Sequence, residues 1–569
     1  MMNKHSSKNA SVDFDAIVVG SGISGGWAAK ELTEKGLKVL VLERGKMIRH
    51  GEDYTKEHQA PWEKPFGGKP LRDLYASDYA VQSQCFAFDE TTRPFFINDK
   101  ENPYQLEKPF SWTRADVLGG KSLLWSRQVY RWSDLDFEAN KKDGHGVDWP
   151  IRYKDIKDWY SYVEAFAGVS GEALGLDHLP DGVFQKPMEL NAVEKMLKKN
   201  IQSNHPDRVL TIGRAAVQTE AKNGRGACHY CGPCERGCSV GAYFSSLSST
   251  LPAAQKTGNL TIRANSIVEA LEVDPQSKKI SAVNIVDTTT GERLRFSSKL
   301  VFLCASAMAT NQIMLNSRSE TFPNGIANGS GTLGHYIMDH FGDAVFGLMP
   351  GFDDRYYSGN RPNNFYIPRF RNLNNQTDDQ PFLRGYGFQG AAMRSSWSMM
   401  AGQVPGFGAQ LKHALMRPGP WIVFMGGFAE HLPEYRNRVT IDDSNKDRFG
   451  ISQIRFDVSF AENEAALRKD MIETGSEMIK QAGGVYINSV PHNRNPGDAI
   501  HEMGGARMGH SAEDSVLNQY NQAHEVANLF VTDGACMSST SCVNPSLTYM
   551  ALTARAADYA VKQLKAGAI

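Results

Sequence analysis

The fold of this 569-residue chain is decided near its start, where residues 14–26 read FDAIVVGSGISGG. The β-rich run at 14–19 predicts a buried strand, and the composition of residues 27–35 predicts a helix that ends at Gly36. Residues 37–43, LKVLVLE, predict a second strand. A strand, a glycine turn, a helix and a strand in this order form a βαβ unit, the nucleotide-binding element of parallel sheets.

The glycines of this turn follow the pattern Gly20-x-Gly22-x-x-Gly25, and Glu43 ends the next strand. Gly20 permits the tight turn, Gly22 lets a pyrophosphate approach the helix N-terminus, and Gly25 lets the helix close on the strand. Glu43 can accept hydrogen bonds from ribose hydroxyls. The turn therefore predicts a dinucleotide site, and its position near the N-terminus favours FAD over a nicotinamide dinucleotide. The predicted contacts also include Ile23, Ser24 and Arg44.

Composition excludes several classes of function. The chain has 62 Lys+Arg against 63 Asp+Glu, so no bulk electrostatic attraction draws it to nucleic acid or to an anionic membrane. Its mean hydropathy is −0.41, as in an ordinary globular protein, and no run approaches the ~18 apolar residues of a membrane span. We therefore expect no nucleic-acid partner and no direct membrane span. The length exceeds what one simple hydrophobic core supports, so two or more domains are expected.

The later sequence predicts an α/β nucleotide domain built from separate parts of the chain. Buried strands are predicted at 300–305 and 528–534, and a helix at 546–565. The alternating runs 421–425 and 438–441 predict a mostly antiparallel substrate sheet. We expect an FAD-binding domain at 14–50, 110–140, 225–330 and 500–565. The substrate domain, with its lid and subunit-contact segments, is expected at 51–109, 141–224 and 331–499, after a flexible tail at 1–13.

Four of the eight cysteines lie within eleven residues, at the spacing C-x2-C-x2-C-x3-C in the loop 226–240. Thiolates this crowded suit an iron–sulfur cluster or another metal, because soft sulfur ligands converge on one centre. Zinc is an alternative, although its thiolates more often come from two separated pairs. Disulfides are another, although they would close very small loops. An iron–sulfur cluster is favoured because it would pass electrons singly from a flavin. The four residues are Cys228, Cys231, Cys234 and Cys238.

Further motifs stand in the order found in glucose-methanol-choline (GMC) flavin oxidoreductases. They are LGGKSLLW at 118–125, LGHYIMDH at 333–340, and Asp533-Gly534 followed by Asn544-Pro545. The chain resembles this family from about residue 14 to residue 565. The resemblance implies FAD-dependent alcohol oxidation by a Rossmann-like FAD-binding domain and a substrate domain on a mostly antiparallel sheet with helices. It also implies flavin contacts at Gly119, Gly120, Ser122, Trp125, Ser126, Val268, Asp533, Gly534, Asn544 and Pro545.

Oxidation of an alcohol requires a base that takes the hydroxyl proton while hydride leaves the carbon. Among the 15 histidines, His501 lies in AIHEMGGARMG at 499–509, which resembles the histidine motif of the family. Asn544 matches the second active-site position of the family. We therefore expect His501 to act as the base and Asn544 to orient the hydroxyl. His335, His340 and His431 are alternatives for which structural roles are expected.

The cysteine loop resembles that of bacterial sugar dehydrogenases within the GMC family, a branch that includes glucose, fructose, gluconate and glucoside 3-dehydrogenases. In this branch a three-iron centre is held by C-x5-C-x3-C, a spacing that Cys228, Cys234 and Cys238 satisfy. A [3Fe-4S] cluster is therefore favoured, and a [4Fe-4S] cluster that also uses Cys231 is the alternative. The resemblance further implies a small companion subunit that carries an export signal, a cytochrome c-type acceptor and a periplasmic location. A cytoplasmic location is the alternative.

The expected substrate is a sugar or glycoside, with C-3 of a glucopyranoside as the sharper expectation. Gln389, Glu430 and His431 are the expected substrate contacts, since they are polar residues of the predicted substrate sheet. Other members of the family, such as gluconate, polyol or glucose dehydrogenases, are alternatives. An oxygen-using oxidase is another alternative, and a flavin- and metal-binding interaction protein is the alternative without catalysis.

Overall fold

A computed structural model describes residues 13–54, 56–65, 72–232, 234–355, 361–374, 380–395, 404–416, 418–492 and 494–569. Nearly all of the predicted tail at 1–13 lies outside these residues. The helices of the described part are α1 Ile23–Glu34, α2 Arg72–Tyr75, α3 Asp134–Phe137, α4 Ala139–Asp143, α5 Tyr153–Ala167, α6 Ala192–Asn204, α7 Thr250–Lys256, α8 Ala307–Asn316, α9 Gly408–Leu415, α10 Glu462–Gln481 and α11 Ser546–Lys565.

The strands of the described part form four sheets. They are β1 Phe14–Val19, β2 Val39–Leu42, β3 Gln105–Leu106, β4 Thr211–Ile212, β5 Leu260–Arg263, β6 Ser266–Val273, β7 Ile280–Asp287, β8 Arg293–Phe296, β9 Ser298–Leu303, β10 His335–Met338, β11 Asp343–Met349, β12 Phe365–Ile367, β13 Tyr386–Arg394, β14 Trp421–Ala429, β15 Arg438–Lys446, β16 Ser452–Asp457, β17 Val485–Pro491, β18 Met503–Gly505 and β19 Leu529–Val531.

The parallel sheet has the order β19-β9-β1-β2-β5 and draws strands from the beginning, the middle and the end of the chain. Ile17 pairs with Leu40 on one side and with Val301 on the other. Most residues of β1, β2, β9 and β19 are apolar and buried, as expected for a parallel sheet covered on both faces, whereas the edge strand β5 is only partly buried. Helix α1 packs against α7 and α11. The predicted combination of a Rossmann-like domain with an antiparallel substrate sheet is confirmed.

The glycine turn closes for a reason visible in its backbone. A Cβ on Gly25 would lie 1.9 Å from the carbonyl oxygen of Gly20, so only glycine lets α1 approach β1 this closely. Gly20 itself has a φ of +90°, which side-chain-bearing residues rarely adopt. A Cβ on Gly22, in contrast, would meet no protein atom within 4 Å. The turn is therefore packed on its protein side and open where a ligand would lie.

The substrate side is built on an antiparallel six-stranded sheet of order β17-β11-β14-β13-β12-β4. Helix α10 covers one face of this sheet by packing on β11 and β14. A second five-stranded sheet, β18-β10-β15-β16-β3, pairs its strands antiparallel except for β16 with β3, and β6-β7-β8 form a small antiparallel sheet. Among the described residues, no helix is both long enough and apolar enough to span a membrane.

Candidate active site

One large cavity of about 1070 Å³ runs from the glycine turn to His501 and Asn544. The parallel sheet forms one wall, and Gln389, Phe424 and Phe428 of the antiparallel sheet form part of the other. This volume exceeds that of an ordinary drug-sized pocket and suits a dinucleotide with room for a small substrate. The predicted flavin contacts that line it are Gly20, Gly22, Ile23, Ser24, Glu43, Arg44, Gly120, Ser122, Trp125, Ser126, Val268, Asp533, Gly534, Asn544 and Pro545.

Gly25 and Gly119, the other two predicted contacts, act from behind the cavity wall. Gly25 lies against Gly20, as described above, and Gly119 has a φ of +92°. The amide of Gly119 donates to Ser21 Oγ at 2.8 Å, which joins the second glycine motif to the first. Both glycines therefore shape the cavity without lining it.

The start of α1 fits the pyrophosphate of FAD. Its N-cap residue, Gly22, provides no side-chain hydrogen bond, and the first turn contains no acidic residue. The backbone N–H groups at the helix start are thus left for an anion, which the helix dipole also favours. The carboxylate of Glu43, the residue expected to bind the ribose, accepts hydrogen bonds from Ser21 N at 3.0 Å and Gly45 N at 2.7 Å. It holds the turn in place while also lining the cavity.

The loop that carries His501 is held by the buried carboxylate of Asp339. Asp339 accepts hydrogen bonds from the backbone N–H groups of Gly497 at 2.8 Å, Ala499 at 3.1 Å and His501 at 3.0 Å. The loop needs this support because Ile500 has a φ of +61°. For a β-branched residue such a conformation costs of the order of 1–3 kcal/mol. Asp339 thus fixes the backbone from which His501 projects.

His501 and Asn544 lie side by side at the end of the cavity. His501 Nε2 is 3.5 Å from Asn544 Nδ2, and His501 Nδ1 is 2.8 Å from His340 Nδ1. Asn544 Oδ1 accepts a hydrogen bond from Gln389 Nε2 at 2.5 Å. Burial lowers the pKa of His501 well below 6.5, and His340 and Lys121 lower it further. His501 is therefore neutral at pH 7, as a proton acceptor must be.

The structure brings Gln389 to the cavity but not Glu430 or His431. Strand β14 ends at Ala429, so these two residues lie beyond the alternation that turns Phe424 and Phe428 toward the cavity. Glu430 is fully buried in an ion pair with Arg384. His431 Nδ1 accepts a hydrogen bond from the backbone of Asp339 at 3.4 Å. Their placement therefore does not agree with the predicted substrate contacts, and both hold the interior together instead.

Several cavity residues escaped the sequence analysis. Phe424 and Phe428 lie four residues apart, each two residues from Gly426, and the alternation of β14 could have found them. Lys121 donates to Glu502 at 2.9 Å beside His501, and no local pattern marks this pair. The contact between His340 and His501 joins residues 161 positions apart, which no local pattern reveals either.

The four clustered cysteines line a second, smaller cavity of about 100 Å³. All four are free thiols, so the disulfide alternative finds no support. Burial raises the pKa of Cys228, and raises that of Cys234 to about 12. Within the ranges that the structure describes, no group of three or more His, Cys, Asp or Glu residues is placed to hold a metal ion, so the iron–sulfur cluster stays a prediction.

Two short contacts join the cysteine cavity to the large one. Trp125 lines the large cavity, and its backbone carbonyl accepts a hydrogen bond at 3.2 Å from the hydroxyl of Tyr243, which lines the cysteine cavity. Arg127 also lines the large cavity and donates to Glu235 of the cysteine loop at 2.9 Å. Residues that line the large cavity therefore contact the cysteine loop directly.

The parallel sheet, the open glycine turn and the paired His501 and Asn544 define a flavin-dependent oxidoreductase that acts on CH–OH groups. Two family models described as GMC oxidoreductase match the chain, one over residues 14–341 and the other over residues 433–553. The chain therefore belongs to the GMC oxidoreductase family, and the resemblance found in the sequence is confirmed.

Curated relatives are similar to this chain over nearly its whole length. The 2-methyl-1,2-propanediol dehydrogenase of Mycolicibacterium austroafricanum is 28% identical and aligns over 96% of this chain and 94% of its own. The fructose dehydrogenase large subunit of Gluconobacter japonicus is 26% identical and aligns over 98% of this chain and 100% of its own. The gluconate 2-dehydrogenase flavoprotein of Pantoea cypripedii is 23% identical and aligns over 95% of this chain and 92% of its own.

A solved structure supports the fold. A variant of formate oxidase from Aspergillus oryzae, studied for its FAD modification, superimposes with a TM-score of 0.62 at 13% identity. The match covers 98% of this chain and 100% of that one. The two proteins therefore share the same architecture.

Proposed function

We propose that this chain is an FAD-dependent sugar or glycoside dehydrogenase that oxidises a secondary hydroxyl to a ketone, with C-3 of a glucopyranoside as the position oxidised. The observation that carries this proposal is the pairing of His501 with Asn544 at the end of the dinucleotide cavity. The relatives named as fructose dehydrogenase and gluconate 2-dehydrogenase support a carbohydrate substrate.

The two side chains divide the work at the substrate oxygen. His501 Nε2 takes the hydroxyl proton, because burial keeps the imidazole neutral at pH 7. Asn544 turns its NH2 group toward the same place, because its Oδ1 is occupied by Gln389. This NH2 group donates to the substrate oxygen and orients it. FAD, when bound, supplies the acceptor for the hydride.

The cysteine cavity supports an iron–sulfur cluster as the exit for electrons. We propose a [3Fe-4S] cluster held by Cys228, Cys234 and Cys238, with a [4Fe-4S] cluster that includes Cys231 as the alternative. The contact between Trp125 and Tyr243 gives such a cluster a short path from the dinucleotide cavity.

We also propose a small companion subunit and a cytochrome c-type acceptor, with a periplasmic location reached by export together with the companion. The name of the Gluconobacter relative, a large subunit, supports a multi-subunit assembly. Fractionation of cells that express the chain with and without its companion tests this proposal. Equal recovery from the cytoplasm in both cases would contradict it.

Anaerobic bleaching of the flavin tests the substrate. Methyl glucopyranoside, glucose, gluconate and 2-methyl-1,2-propanediol are each mixed with the oxidised holoenzyme, and the product is identified by NMR. The proposal expects the glucoside to bleach the flavin and to yield a 3-keto product. Bleaching by the diol alone would overturn the carbohydrate assignment. Oxygen uptake equal to substrate turnover would favour an oxidase, and bleaching by none of the four would favour a protein without this activity.

A further inference from the structure

We propose that His340 is a positioning residue that fixes the tautomer of His501, so that the Nε2 atom of His501 faces the substrate without a proton. This inference rests on the proposed role of His501 as base and adds a residue to it.

The Nε2 atom of His340 faces two backbone carbonyl groups. It lies 2.8 Å from the carbonyl oxygen of Ser541 and 3.1 Å from that of Thr540. A carbonyl oxygen only accepts hydrogen bonds, so His340 Nε2 must carry the proton. The carbonyl groups are held toward His340 because Ser541 has a φ of +55° and its hydroxyl donates to Asp136 at 2.6 Å.

The other nitrogen of His340, Nδ1, faces the imidazole of His501. The side chain is fully buried, and burial lowers its pKa to about 4, so the ring is neutral at pH 7. A neutral imidazole carries one proton, and since Nε2 holds it, Nδ1 of His340 is a hydrogen-bond acceptor. His501 Nδ1, 2.8 Å away, must then be the donor. The single proton of neutral His501 is therefore on Nδ1, which leaves its Nε2 bare.

The hydrogen bonds continue in the same direction from His501 into the substrate sheet. Because His501 Nε2 accepts, the atom of Asn544 that faces it at 3.5 Å is the donor Nδ2. Asn544 Oδ1 then faces Gln389 Nε2, and Gln389 Oε1 accepts from Asn364 Nδ2 at 3.2 Å. Each side chain in this series therefore donates its hydrogen bond to the next one in the direction of His340. The two backbone carbonyls of residues 540 and 541 thus set the hydrogen-bond direction of the whole site.

His340 follows Asp339 directly, and the two residues hold different parts of His501. Asp339 binds the backbone of the loop 497–501, and His340 binds the imidazole ring. A residue that served only to fill space would need no nitrogen at this position. A change that removes the acceptor should therefore affect the tautomer even when the fold is intact.

Two variants separate positioning from packing. In His340→Asn the side-chain oxygen replaces Nδ1 as acceptor, whereas His340→Leu fills the space without an acceptor. We expect His340→Leu to slow flavin reduction at saturating substrate by about 10–100-fold, the usual effect of losing a partner that orients a histidine. We expect His340→Asn to remain within about threefold of the parent protein. Equal rates in both variants and the parent would overturn the proposal.

The tautomer itself is measured by 15N NMR of histidine-labelled holoenzyme, with His501→Ala used to assign the signals. We expect Nδ1 of His501 to be protonated and Nε2 unprotonated in the parent and in His340→Asn, and a mixture of both tautomers in His340→Leu. A proton on Nε2 of His501 in the parent would overturn the proposal. This measurement needs no substrate, so its result stands even if no sugar reduces the flavin. If the leucine variant does not fold, the 15N NMR spectrum of the parent protein alone still tests the proposal.

Discussion

Gln389 Nε2 donates a hydrogen bond to Asn544 Oδ1 at a distance of 2.5 Å. Gln389 lies on β13 of the antiparallel sheet, and Asn544 lies just before α11, which packs on the FAD-binding side of the molecule. The substrate sheet therefore orients a side chain that belongs to the flavin side. The direction of this bond decides which end of the Asn544 amide faces a substrate.

Changes at Gln389 should alter catalysis through Asn544. In Gln389→Glu the carboxylate can only accept, so Asn544 must turn its NH2 group away from the substrate. We expect a fall of about 10–100-fold in the rate of flavin reduction, corresponding to the ~1–3 kcal/mol cost of a misplaced buried hydrogen bond. Gln389→Leu, which leaves Oδ1 unpaired but does not reverse the amide, should lose less. A glutamate variant as fast as the parent would contradict this orientation of Asn544.

Removal of the base should separate chemistry from cofactor binding. His501 is part of the cavity end and lies far from the glycine turn, so His501→Ala should retain FAD at the parent stoichiometry. The rate of flavin reduction should fall by roughly 10²–10⁴-fold, the usual contribution of a general base. Stopped-flow absorbance gives the rate, and the ratio of flavin to protein absorbance gives the occupancy. Flavin reduction near the parent rate would remove His501 from this role.

Local sequence patterns predicted those parts of the structure that depend on residues close together in the sequence. The glycine turn appears in the sequence because Gly20 and Gly25 must be glycine for α1 to reach β1. The roles expected for Glu430 and His431 did not agree with the structure because both residues follow the end of β14, a boundary that residue type does not mark. The partnership of His340 with His501 spans 161 positions and depends on tertiary packing alone.

The glycine turn also provides a matched pair of variants. In Gly25→Ala the new methyl group would lie 1.9 Å from Gly20 O, so the turn must open and the protein should be strongly destabilised. In Gly22→Ala the methyl group meets no protein atom within 4 Å, so the apoprotein should melt near the parent temperature while binding FAD more weakly. Thermal unfolding of the apoproteins and FAD titration measure the two effects. Equal destabilisation by both changes would contradict the proposed position of the pyrophosphate.

Serine substitutions in the cysteine loop distinguish the two cluster types. A [3Fe-4S] cluster held by three thiols predicts that Cys228→Ser, Cys234→Ser and Cys238→Ser each lose iron and labile sulfide. Cys231→Ser should retain both, as should the control Cys85→Ser outside the loop. Iron and sulfide analysis of anaerobically purified proteins, with EPR before and after reduction, provides the measurement. Loss of iron in Cys231→Ser would instead indicate four ligands, and zinc without iron would refute an iron–sulfur cluster.

The pH dependence of flavin reduction tests the electrostatics of His501. Burial lowers the pKa of His501 well below 6.5, with further lowering by His340 and Lys121. Since protonation removes the accepting lone pair, the rate at saturating substrate should be constant above about pH 6.5 and fall only at lower pH. In Lys121→Met the neighbouring ammonium group is absent, so the pKa of His501 should rise and the acid limb should move to higher pH. Anaerobic stopped-flow measurements on both proteins across this range provide the comparison. An acid limb that does not move would show that Lys121 has no electrostatic influence on the base.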